Sequence, residues 1–201
     1  MNRPFLLGLT GSIGMGKTTT ARMFEEAGIP VWDADAAVHR LYATGGAAHD
    51  AVARLCPDAA TGEGIDRAAL REAIARDPDL LARIEAIVHP LVARDRAEFI
   101  DHAHARGEPL VVLDIPLLFE TGAERECDAT LVVSAPPEEQ RARVLARPGM
   151  TADRFETMLA RQMPDDEKRE RATYVIETRT IAQTRTEIAS LIAELRSRID
   201  A

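Results

Sequence analysis

The chain has 201 residues and is 46% hydrophobic, enough to bury the core of one domain with a small appendage and too apolar for a largely disordered chain. Acidic residues outnumber basic ones 33 to 25, for a net charge of −8, so no nucleic-acid partner is expected. Cys56 and Cys127 lie far apart and outside any C-x-x-C or Cys/His cluster, which sets aside a disulfide framework and a zinc site.

No apolar run approaches the roughly 20 residues that span a bilayer. The N-terminus enters a strand-like segment directly, without a signal-peptide layout. A cytoplasmic chain with no membrane partner is expected. Lysine occurs only at Lys17 and Lys168, and asparagine only at Asn2, so a lysine inside a motif is not a compositional accident.

The first apolar run, residues 5–9, reads as a buried strand. It leads into Gly11-Ser12-Ile13-Gly14-Met15-Gly16-Lys17-Thr18, which matches G-x-x-x-x-G-K-[ST] and stands where such a loop must stand, between a strand and the helix expected over residues 17–27. Glycines let the backbone wrap closely round an anion, so that successive N–H groups and the positive end of the new helix face it. Lys17 then reaches the outer phosphates of ATP, and the Thr18 hydroxyl ligates Mg2+. The alternative, a glycine-rich turn that only caps a helix, does not account for the lysine and hydroxyl together. With no asparagine after Asn2, the Asn-Lys-x-Asp element of guanine-specific switches is absent. The length suits a small phosphotransferase better than a motor.

A second strand is expected at residues 30–32, followed by Trp32-Asp33-Ala34-Asp35 and His39. In a parallel sheet its C-terminal end reaches the edge that carries the phosphate loop. Asp33 is the candidate to accept or orient the proton of an attacking hydroxyl. Asp35 reads either as a helix N-cap or as a site residue, and His39 either shares its helix face or is an ordinary surface histidine. Residues 35–107 show no strong strand run. They read as a helical insertion of short helices, punctuated at Gly45-Gly46, Pro57, Asp77-Pro78, Pro90 and Gly107.

The alternation resumes with a strand at residues 110–114, ending in Asp114, which is placed to hold Mg2+ or a polar group of the acceptor. Leu117, Leu118 and Phe119 follow, either as core or as an apolar wall for a bulky substrate. A strand at 130–134, a helix at 137–146, a strand at 174–176 and a helix at 184–199 complete an α/β domain with a five-stranded parallel sheet flanked by helices. Residues 147–171 break the pattern again, as a mobile flap or a solvated helix pair with a Thr151 cap. Arg141, Arg143, Arg147, Arg154, Arg161, Arg169 and Arg171 crowd this region. Most are expected in surface ion pairs, and Arg147, at a hinge-like Arg-Pro-Gly, is the first candidate to close on the triphosphate.

Together the phosphate loop, "DAD" at Asp33 to Asp35 with His39, "HP" at His89-Pro90, "DIPLLFE" at Asp114 to Glu120 and "QMPDDEKRERATYVIET" at Gln162 to Thr178 resemble the dephospho-CoA kinase family, in order and over nearly the whole chain. The resemblance implies transfer of the ATP γ-phosphoryl group to the ribose 3'-hydroxyl of dephospho-CoA, the last step of coenzyme A biosynthesis. It implies a P-loop NTPase-type core (residues 1–34, 108–146 and 172–201), a helical acceptor-binding region (35–107) and a lid (147–171). Carried over, Asp33 is the catalytic carboxylate, and Gly11, Ser12, Ile13, Gly14, Met15, Gly16, Lys17 and Thr18 bind ATP. His89 and the segment Asp114, Pro116, Leu117, Leu118, Phe119 and Glu120 belong to the acceptor side. The match departs after Thr178, where a glycine-containing turn is expected and Arg-Thr-Ile-Ala is found, which bears on contacts to the nucleotide base. The readings set against this one are another P-loop small-molecule or nucleoside kinase, and a nucleotide-dependent regulatory protein. A monomer is expected.

Overall fold

Three apolar runs of the sequence are strands buried along their whole length or nearly so, because the sheet they form is covered on both faces. The computed structural model describes residues 3–199. Its main sheet has five strands, β1 (Phe5–Thr10), β2 (Val31–Asp33), β5 (Leu110–Asp114), β6 (Ala129–Ser134) and β7 (Tyr174–Glu177), in the order β2-β5-β1-β6-β7. The pairs β1–β5, β1–β6 and β6–β7 are parallel.

The chain divides into two compact units. One comprises the residues up to Trp32 together with those from His102 onward, and the other is Asp33–Asp101. In the first, α1 (Lys17–Glu26) and α9 (Ile181–Ile199) cover one face of the sheet. Met23 and Phe24 from α1 and Ile188, Leu191 and Leu195 from α9 bury against Leu7, Leu9, Val112, Leu131 and Val133. The stripe of apolar residues at helical spacing in α9 is what selects this face. Further helices α6 (Pro137–Leu145), α7 (Ala152–Leu159) and α8 (Asp165–Arg171) follow β6. The segment expected as flap or helix pair holds the two short helices α7 and α8, and the Thr151 side chain caps α7 by accepting from the Arg154 N–H at 3.3 Å.

The second unit holds α2 (Ala34–Tyr42), α3 (His49–Leu55), a two-stranded hairpin β3 (Ala60–Thr61) and β4 (Gly64–Ile65), α4 (Arg67–Arg76) and most of α5 (Asp79–Ala105). Its own core includes Leu41, Val52, Ile65, Leu70, Ile84 and Val88. Two expectations are corrected here. The hairpin was not foreseen, since strands of two residues carry no periodicity to read. Pro90 does not stop a helix either: α5 continues through it for 27 residues. Pro90 and Ala86 both face solvent, so the carbonyl that the proline leaves without a partner lies on the open side of the helix, while buried Leu80, Ile84 and Val88 hold its first half.

Candidate functional site

β1 runs out at Thr10 and α1 begins at Lys17, so the glycine-rich loop spans the gap as expected. Gly16 is the residue before α1 and has φ of 90°, left-handed backbone that a side chain would strain. At Gly11 the requirement is close approach: a Cβ there would lie 2.6 Å from the Val133 carbonyl oxygen on β6. Thr178 braces the far side of the loop, its hydroxyl donating to the Met15 carbonyl at 2.8 Å.

Lys17 and Asp114 meet. Lys17 Nζ lies 2.6 Å from Asp114 Oδ1, and the Asp114 side chain is only 3% exposed. Two residues 97 positions apart in sequence are joined because β1 and β5 are adjacent parallel strands whose C-terminal ends reach the same edge. The Thr18 hydroxyl-bearing side chain is exposed on the first turn of α1. Thr18 and Asp114 each offer a hard oxygen donor, the hydroxyl on the first turn of α1 and the carboxylate at the end of β5. That fits Mg2+, which takes one or two protein ligands and completes its shell with phosphates and water.

Beside the loop lies a pocket of about 310 Å³ lined by Gly16, Thr19, Arg143, Thr178, Arg179 and Ile181, among others. Arg143 is fixed there by its contacts to the Thr178 carbonyl and hydroxyl and to Glu139 at 2.7 Å. Sequence reading had placed Arg143 only in a crowd of arginines. Most of that crowd is committed: Arg141 to Glu156, Arg154 to the Gly149 carbonyl, Arg169 to Glu177 and Ser134, and Arg171 to Glu124 and the face of Phe119. Among the described residues no side-chain partner holds Arg147 or Arg161, and both are exposed.

In the second unit, Asp33 ends β2 and is itself the N-cap of α2, its Oδ1 accepting from the Ala36 N–H at 3.0 Å. Asp35, read from the sequence as a helix N-cap or a site residue, does not cap and lies exposed in the first turn of α2. His39 and His89 are also exposed. His39 borders an open pocket of about 400 Å³ whose lining includes Tyr42, Thr61, Glu63 and Arg67. Burial pushes the Tyr42 phenol above its ordinary range, and the Arg67 charge opposes that rise.

The segment after β5 takes the core alternative at two of its positions. Leu118 is fully buried and Phe119 5% exposed, as core residues are. Leu118 packs over Gly8, where a Cβ would come within 3.1 Å of it. Pro116 is partly exposed and Leu117 is 40% exposed. Glu120 Oε1 accepts from the Met163 N–H at 2.9 Å and lies 3.0 Å from Nζ of Lys168, which is completely buried. Burial raises the Glu120 carboxyl, but the Met163 N–H and the Lys168 charge outweigh it and hold the group below the ordinary carboxylate value. Its carboxylate thus makes an internal ion pair with Lys168. The only other lysine of the chain is likewise in a motif, and nothing in the periodicity marked it as core.

A five-stranded α/β sheet, a phosphate loop entering a helix, and its lysine on the aspartate that ends the neighbouring strand define a P-loop phosphotransferase. The family model for dephospho-CoA kinase matches residues 5–183, and the dephospho-CoA kinase of Cereibacter sphaeroides is 61% identical over 199 residues, covering 99% of this chain and 100% of its own length. The chain belongs to the dephospho-CoA kinase family. A crystal structure of TT1252 from Thermus thermophilus is similar with a TM-score of 0.84 and 39% identity, over 96% of this chain and 99% of that one. The dephospho-CoA kinase of Campylobacter jejuni shares the fold, with a TM-score of 0.64 at 21% identity, over 94% of this chain and 96% of its own. Among the described residues, no helix is long and apolar enough to cross a membrane.

Proposed function

We propose that this chain transfers the γ-phosphoryl group of ATP to the ribose 3'-hydroxyl of dephospho-CoA, giving coenzyme A and ADP. The observation that carries the reading is the Lys17–Asp114 pair at 2.6 Å under a phosphate loop, in a chain of this family. Phosphoryl transfer needs positioning and charge neutralisation more than covalent chemistry from the protein. Loop N–H groups and the α1 terminus face the phosphates, and Lys17 neutralises the oxygens that gain charge. Thr18 and Asp114 would hold Mg2+, which when bound would neutralise phosphate charge and orient the nucleotide. The pocket between Gly16, Arg143 and the 178–181 loop takes the base and ribose.

Asp33 orients the acceptor hydroxyl through the oxygen that has no partner among the described residues, its other oxygen being used for capping. The open pocket of the second unit, with His39, Tyr42 and Arg67 as donors, takes the non-reacting part of dephospho-CoA, with Asp35 and His89 supporting on exposed helix faces. Arg147 closes on the triphosphate, with Arg161 as the second free guanidinium. The chain acts in the cytoplasm as a monomer.

The test is ADP formation from Mg·ATP with and without dephospho-CoA, with the product's mass checked for one added phosphate. Acceptor-dependent ADP and a phosphorylated product are expected. Equal ADP release without the acceptor would leave the nucleotide site standing and remove the acceptor assignment.

A further inference from the structure

The peptide at Ile13, in the middle of the phosphate loop, is held from both sides by glutamine side chains. Its N–H donates to Gln162 Oε1 at 3.0 Å, and its carbonyl accepts from Gln140 Nε2 at 2.8 Å. A backbone N–H only donates and a carbonyl only accepts, so both amide orientations are set by the peptide they meet. Gln140 belongs to α6, whereas Gln162 lies between α7 and α8, in the segment expected as a lid.

Gln162 is itself tied down through its neighbour. The Met163 N–H donates to Glu120 Oε1, the oxygen that also faces the buried ammonium of Lys168. That ammonium makes no aligned hydrogen bond, and Glu120 Oε2 is buried without a hydrogen-bond partner. The pair is thus held by charge in a place where an apolar side chain would pack at less cost. What the pair does accomplish is to pin residue 163, and with it the Gln162 side chain, against Ile13. The loop needs such external ties, because Gly14 and Gly16, both at positive φ, give it little stiffness of its own.

We propose that Gln162, anchored through the Met163 N–H bond to the Glu120 side-chain oxygen, is a positioning residue for the phosphate loop. It sets the Ile13 peptide before nucleotide arrives, so that the N–H groups that follow are already turned to receive phosphate and less ordering is left for binding. It acts through Ile13 and does not touch the nucleotide. The inference rests on the nucleotide reading of the loop.

The experiment is binding of Mg·ADP to the full chain by calorimetry, with thermal melting alongside and steady-state kinetics on the same variants. Gln162→Met keeps the length and removes the acceptor. It is expected to weaken ADP about tenfold and to raise KM for ATP by a similar factor, with KM for dephospho-CoA within about twofold and little change in Tm. Glu120→Gln with Lys168→Met removes both charges but leaves an oxygen for the Met163 N–H, and should bind ADP like the wild type. Glu120→Leu with Lys168→Met removes that oxygen too and should resemble Gln162→Met.

Wild-type binding of ADP with unchanged affinity in Gln162→Met overturns the inference. Unchanged affinity in both double variants removes the anchoring half of it and leaves Gln162 acting alone. A wild-type chain that binds no ADP refutes the nucleotide reading instead, a different outcome from either.

Discussion

Asp33 carries two jobs at one position, and they separate by substitution. As N-cap of α2 it accepts from the Ala36 N–H, and asparagine caps a helix as well as aspartate does. Asp33→Asn should therefore keep stability within a few tenths of a kcal/mol while turnover falls about 10³-fold or more. Asp33→Ala should add a loss of about 1 kcal/mol, read by urea unfolding. Near-normal turnover in the asparagine variant would remove the carboxylate from the mechanism. Lys17 behaves differently because its partner is buried. Lys17→Met should lower kcat/KM about 10³-fold and cost about 2 kcal/mol of stability, since Asp114 is left with less compensation for its charge. Adding Asp114→Asn should return most of the stability and none of the activity. If the double variant is no more stable than the single one, the loss in Lys17→Met does not come from the Asp114 charge.

At the scale of the element, the segment after β5 shows how position in the fold decides between readings that composition leaves equal. Leu118→Ala should cost about 2–5 kcal/mol, as other fully buried leucines do, and leave KM for dephospho-CoA unchanged in the folded fraction. A specific rise in that KM would return Leu118 to the acceptor site. Glu120 gives the same segment a pH dependence. Its carboxyl is held below the ordinary value, so its contribution to stability is complete above a pH of about 4.3 and is lost as pH falls through the lowered value. Urea unfolding of the wild type and of Glu120→Gln between about pH 6 and about pH 3, a window that brackets the ordinary carboxylate value, should show curves that are separated at the top and converge at the bottom. Parallel curves would mean that Glu120 ionises alike in both states. The five strands of the main sheet, α1, α6 and α9 were legible within a few residues because buried apolar runs, a glycine stop after α1 and the stripe of α9 are local signals. The long α5 was not: a proline looks like a stop until the structure shows its face to be solvated.

On the scale of the whole molecule, the two units differ in how their cores are built. Leu110 to Leu113 and Leu131 to Val133 have no exposed surface, in strands that are hydrogen-bonded on both sides. In the second unit the core residues are contributed by short helices and a hairpin of two-residue strands. Hydrogen exchange followed by mass spectrometry should find peptides over 110–114 and 129–134 exchanging last, and peptides over 49–76 exchanging well before them. Equal protection throughout would show one cooperative unit.

What the sequence determined by itself was whatever depends on neighbours along the chain. A loop whose glycines, lysine and hydroxyl sit within eight residues between a strand and a helix can be read without coordinates, and so can the parallel α/β class. The order of motifs over the whole chain was enough to point to the family. Contacts across the chain were decided only by the tertiary structure. Lys17 reaches Asp114 because the sheet places β5 beside β1. Arg143 is selected from seven arginines by the carbonyl of Thr178. Glu120 is turned inward by a lysine 48 positions away that no helix or strand period marks as buried. The physical reason is the same in each case: the burial and charge that give these side chains their roles come from segments brought together by the sheet, and no local pattern records which segments those will be.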